Sequence, residues 1–115
     1  MSIKLLDFHS VAKESEFIPQ AVIDRPVSFF ERMRKMEFIE GHDDLDTYQA
    51  TALMLNGHQL VALMHYRGHP ENTVTVYLPR SSPAEAIPEI VNHLVRELDL
   101  PADSVSWQRA DGPDL

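Results

Sequence analysis

The chain has 115 residues, of which 43% are hydrophobic and 24% charged, and its formal net charge is −8. That length suits one domain, able to bury roughly two-thirds of the surface its unfolded chain exposes. The absence of cysteine excludes disulfides, thiolate metal sites and a cysteine nucleophile. The negative charge disfavours nucleic-acid backbones and anionic membrane surfaces, which repel it.

Residues 1–23 are the least readable part. Ile3 to Phe8 is mostly apolar and fits either a short strand or the start of a helix, and Pro19 limits any regular element around it. This stretch lacks the long apolar core of a signal peptide. No apolar run approaches the ~20 residues that a spanning helix needs, so the expected location is cytoplasmic.

Asp24 followed by Pro26 reads as a helix start, a capping side chain and then a proline in the first turn. Val27, Phe30 and Met33, extended by Phe29 and Met36, give a helical apolar face through about residue 37. Arg32, Arg34 and Lys35 form the densest basic cluster, but Glu31 and Glu37 stand beside them, and the reading is a solvated helix face. Gly41 and the acids from Glu37 to Asp46 read as an acidic loop.

The clearest signal is Asn56-Gly57 between the apolar runs Tyr48–Leu55 and His58–Tyr66. Asn-Gly suits a two-residue hairpin turn because both central residues need positive φ. That turn pairs Leu55 with His58, Leu53 with Leu60, Ala52 with Val61 and Tyr48 with His65. A third strand, Thr73–Leu78, carries Val74, Val76 and Leu78 on one face. Both faces of this meander are apolar, so both should be covered. Helices would cover one. A second subunit or a partner would cover the other, unless Leu5, Leu6, Phe8 and Phe17 of the N-terminal segment fold over it.

Ser82-Pro83-Ala84-Glu85 reads as a helix start, and Ile87, Ile90, Val91, Leu94 and Leu98 form its buried stripe. Pro88 fits only if the first turn is irregular or the helix proper begins later. Leu100-Pro101 closes the helix, Ser104–Trp107 alternates as a short last strand, and residues 109–115 form a frayed tail. The expected architecture is one α+β domain over residues 1–115. It comprises a three-stranded antiparallel meander plus a short C-terminal strand, packed against two main helices.

Chemistry-bearing motifs are few. His65 and His69 are four apart, a metal-binding spacing on a helix, but this segment leaves a strand for a loop. His42 with Asp43, Asp44 and Asp46 lacks the glycine turn and terminal glutamate of a calcium loop. No Gly-x-Ser-x-Gly occurs, and four glycines leave little for a phosphate loop. No catalytic residue, metal or cofactor is therefore expected. The functional expectation is a non-enzymatic protein-binding or self-associating module. It would use Leu53, Leu55, Leu60, Met64 and Tyr66 toward a protein partner or a second copy forming a homodimer, with no nucleic acid and no membrane. The alternative is a small enzyme or ligand-binding domain with a pocket near Tyr48, His65 and Tyr66. Trp107, the sole tryptophan, is expected in the core, with a partner anchor as its other reading.

Overall fold

The structure, a computed structural model, describes residues 3–13, 15–33, 35–43 and 46–108. Its organising element is strand β4, Thr47–Leu55, which at nine residues is long enough to pair two short strands end to end on one edge. Strand β1, Ile3–Leu6, takes the half from Ala52 to Leu55, and β3, Ile39–His42, takes the half from Thr47 to Ala50. On its other edge β4 pairs with β5, Gln59–Tyr66, followed by β6, Val74–Pro79, then β2, Phe17–Ile23, and finally β7, Val105–Gln108. Every pairing is antiparallel.

This corrects the expected fold. Among the described residues the sheet has seven strands rather than a three-stranded meander with a terminal strand, and one helix dominates rather than two. The segment left open between strand and helix holds β1 and then α1, and the strands missed in the sequence are β2 and β3. The segment read as an acidic loop holds β3, because Ile39 and Gly41 alternate with Glu40 and His42 against β4. Pro19 lies inside β2, opposite Tyr77. β2 tolerates it because β7 pairs only Ala21 to Ile23, leaving an open edge at Pro19, and because a bulge at Gln20 interrupts the ladder there. That bulge also turns Phe17 and Pro19 to one face of the sheet and Ala21 and Ile23 to the other.

The hairpin turn forms, but the register differs by one residue from the expectation. Asn56 and Gly57 both have positive φ, 53° and 76°, and the His58 N–H donates to the Leu55 carbonyl at 3.2 Å. Pairing then resumes between Leu55 and Gln59, so His58 is an extra residue and the loop is longer than two. Leu53 therefore faces Val61, Ala52 faces Ala62 and Tyr48 faces Tyr66. The slip exchanges the faces of β5 relative to β4. Leucines and valines now gather on one face, and Ala50, Ala52 and Ala62 gather on the other.

The large-residue face is the main core. Leu53, Leu55, Val61, Leu63, Val74, Val76 and Leu78 pack beneath α2, Val27–Met33, and α3, Ile87–Glu97. α2 is only seven residues long; Lys35 beyond it has φ 55°, and Met36 and Phe38 enter the core from outside the helix. Glu31, Arg32, Lys35 and Glu37 are exposed, while Arg34 lies outside the described residues. In α3 a 3₁₀ turn at Ala84–Ala86 precedes the helix proper, which puts Pro88 in the first turn, where its missing N–H costs nothing. α3 ends in a Schellman motif. Asp99 (φ 58°) donates to the Arg96 carbonyl, and Leu100 donates to that of Val95.

The alanine face lets a short helix approach closely. α1, Phe8–Ala12, lays Phe8 against Ala50, Ala52, Ala62 and Met64, with Leu6, Val11 and Phe17 around it. The N-terminal segment thus covers part of the second face. No described helix is long and apolar enough to cross a membrane. The tail at 109–115 lies outside the described residues.

Candidate functional site

The residues expected to bind a partner separate into different environments. Leu53 and Leu55 are buried under α2 and α3, and Met64 is buried in the cluster below α1. Leu60 and Tyr66 are half-buried, the two of the five that reach solvent.

Of the expected pocket trio, two come together. Tyr48 and Tyr66 are directly opposite on the second face, their ring centroids 5.6 Å apart in an edge-to-face arrangement. Phe8 extends the stack, 5.9 Å from Tyr48. The Tyr66 hydroxyl donates to Asp43 Oδ2 at 2.7 Å, and the His69 ring lies 5.6 Å from the Tyr66 ring. His65 belongs to the opposite face, beside Gln49 in the register. Its Nδ1 lies 2.8 Å from the Thr73 carbonyl, which only accepts, so that nitrogen carries the proton. Tyr48 and His65 meet only at the rim of a 250 Å³ hollow at the strand ends, shared with Glu40, Arg67 and Glu71.

Burial and the Asp43 carboxylate favour the neutral form of these phenols. Burial, and then the hydrogen bond to Asp43, push the Tyr66 phenol far above its usual range. Burial also raises Tyr48 and Tyr77, with the Asp43 charge adding to both. An efficient general acid or base has a pKa near the working pH, and these shifts run the other way. Tyr66 is a neutral donor to Asp43, and its ring packs edge-to-face with that of Tyr48. Among the described residues no three His, Cys, Asp or Glu side chains converge where they could hold a metal. Asp44 of the acidic run lies outside the described residues, and Asp43 is engaged with Tyr66.

A second hollow, of 380 Å³, lies between the hairpin tip and α3 and is bordered by Asn56, His58, His93 and Arg96. Its polar groups largely satisfy one another: Asn56 Nδ2 is 2.8 Å from His93 Nε2, and His58 Nδ1 is 3.0 Å from the Asn56 carbonyl.

A larger concavity among the described residues lies on the second face, toward β7. It measures 590 Å³, has Val22 and Thr75 beneath it, and is bordered by Trp107, Tyr77, Pro19 and Pro70. Three strands supply it in register, since Val22 pairs with both Thr75 and Trp107, and Pro19 with Tyr77. Trp107 is 46% exposed, contrary to the expectation of a core indole, because a register shift at β7 sends Val105 inward and Trp107 to the second face. The sequence held one signal for this groove, a sole tryptophan in an alternating strand at the chain's end. Pro19 and Val22 came from a segment whose strand was not recognised. No protein-family model matches this chain, and neither curated proteins nor solved structures yield a match to it.

Proposed function

We propose that this chain is a non-enzymatic protein-binding module whose contact surface is the open groove centred on Trp107 and Tyr77. One observation carries the reading. Among the described residues only Leu5 and Trp107 are large apolar side chains left exposed, and Trp107 borders a broad, largely apolar concavity of 590 Å³. Burying a large apolar side chain stabilises by roughly 1.5–3 kcal/mol, a gain forgone while Trp107 faces water. Tryptophan and tyrosine anchors set in apolar pockets dominate protein interfaces.

The partner is a different protein rather than a second copy. The apolar surplus that argued for a homodimer is largely taken up within the chain, since Leu53 and Leu55 lie under helices and Phe8 covers the alanine face. Two copies would each bring a charge of −8 to the contact. The test is to pan a random-peptide library on the full chain and on Trp107→Ala and Tyr77→Ala variants whose circular dichroism is native. Binders that lose affinity on both variants support the proposal. An absence of binders, or binders indifferent to both changes, would overturn it.

A further inference from the structure

We infer that Asn56 is a site of spontaneous deamidation, in which the Gly57 nitrogen displaces the side-chain amide, and that its contact with His93 on α3 holds this reaction back in the folded chain. The site shares no residue with the groove at Trp107 and is independent of what that groove binds.

The chain has three asparagines, Asn56, Asn72 and Asn92, and Asn56 alone precedes a glycine. Cyclisation needs the next residue's backbone nitrogen to reach the asparagine Cγ, and a side chain on that next residue obstructs the approach. Gly57 has none, and the place a Cβ would take has no atom within 4 Å. Thr73, after Asn72, is β-branched, and Asn92 lies inside α3, where the following N–H is bonded along the helix. Asn56 and Gly57 are exposed, so water reaches the turn. Water is the only co-reactant. The Gly57 nitrogen gives its proton to base in solution and attacks Cγ; the N–Cγ bond forms, the Cγ–Nδ2 bond breaks, and Nδ2 leaves as ammonia. Water then opens the cyclic imide at either carbonyl. One opening restores the ordinary backbone with an aspartate, and the other runs the backbone through the side chain as isoaspartate.

The fold supplies the restraint. Asn56 Nδ2 lies 2.8 Å from His93 Nε2, which ties the amide to α3 and limits the rotation that cyclisation needs. His93 is itself held, with Arg96 Nη2 3.4 Å from its Nδ1 and Glu97 Oε2 3.8 Å from its Nε2. The turn adds to this: Asn56 and Gly57 keep their positive φ while the His58 N–H donates to the Leu55 carbonyl at 3.2 Å. Either product disturbs this corner. Aspartate puts a carboxylate into a hollow that Glu89 already borders. Isoaspartate adds a backbone atom to the turn, whose length sets the register from Leu55 and Gln59 onward.

The full chain is incubated in mildly alkaline buffer, folded and in urea, beside a His93→Ala variant whose circular dichroism is native. Peptide mapping reads the amide-to-acid mass gain at each asparagine, a gain that isomerisation at Asp111-Gly112 does not produce. Asn56 should convert faster than Asn72 and Asn92 in both states, and more slowly in the folded chain than in urea. His93→Ala should speed the folded reaction roughly twofold to tenfold, the factor that one ordinary hydrogen bond is worth, and leave the rate in urea unchanged. Conversion at Asn56 no faster than at the other two would overturn the site. A folded rate equal to that in urea would overturn the restraint. So would an unchanged or slower rate in folded His93→Ala, the slower one marking His93 as a donor to the departing ammonia. The isoaspartate fraction of aged protein should melt below an Asn56→Asp variant, which keeps the ordinary backbone. Equal midpoints would overturn the stated effect on the turn.

Discussion

Phe8→Ala tests whether the N-terminal segment is a structural part of the sheet's second face. Phe8 is 5% exposed and is the buried side chain of α1. Its ring meets Tyr48 at 5.9 Å and Phe17 at 6.4 Å, above Ala50, Ala52, Ala62 and Met64. Truncating a buried phenylalanine costs about 3–5 kcal/mol. The low end applies, because one five-residue helix covers this cluster and it relaxes more easily than the main core. With a urea m-value of about 1.5 kcal/mol/M, a loss of about 3 kcal/mol moves the midpoint down by about 2 M. Leu5→Ala is the matched control, 45% exposed in the adjacent strand, and should change stability by no more than about 0.5 kcal/mol. The Phe8 variant should also gain concentration-dependent sedimentation, since it uncovers the alanine face. A midpoint within experimental error of the parent would refute the reasoning, because α1 would then not be packed on the sheet in solution.

Three further outcomes follow from local geometry. All three tyrosines of the chain have raised pKa values, and the neutral phenols are the stabilised forms. Their contribution is fully present below the unfolded value near 10 and is lost as pH rises toward the folded values. Absorbance titration should therefore show much less than half the phenolate formed at pH 10 while the fold persists. Half-ionisation there, with native circular dichroism, contradicts the burial described. Gly41→Ala would drive a methyl group into the Tyr48 ring, which Phe8 and Tyr66 hold in place, so a loss of about 1–2 kcal/mol in denaturant melts is expected. Asp99→Gly should raise stability by about 0.5–1 kcal/mol by relieving the left-handed conformation at the end of α3, read as an upward shift of the thermal midpoint.

What was legible in the sequence is what local chemistry dictates. The Asn56-Gly57 turn, the common face of Val74, Val76 and Leu78, and the delayed start of α3, with Pro88 in its first turn, each follow from a few adjacent residues. β1 was legible only as an alternative to a helix, and β2 and β3 were not legible because β3 is four residues long and β2 contains a proline and a bulge. Short segments of this kind become strands through their partners. Ile39–His42 is strand because β4 offers an edge, and nothing within those residues announces it. The groove shares this origin. Trp107, Tyr77, Val22 and Pro19 come from three strands and meet only through long-range pairing.

One extra residue connects the fold to the proposed function. Had the strands paired from Leu55 to His58, Val61 would have lain opposite Ala52, and large and small side chains would have mixed on each face. With His58 set aside, the large side chains share one face and support α2 and α3, while the alanines share the other and admit α1. α1 is five residues long and reaches only part of that second face. Toward β7 the face leaves Trp107 exposed, while Phe17 and Tyr77 still pack against the cluster under α1. The same small residues that draw α1 down against β4 and β5 therefore leave the Trp107 end of the face open. The bulge at Gln20 and the shift at β7 then direct Pro19 and Trp107 onto that face instead of into the main core. Two departures from regular pairing, each able to reverse a side chain's direction, place Pro19 and Trp107 together on the second face.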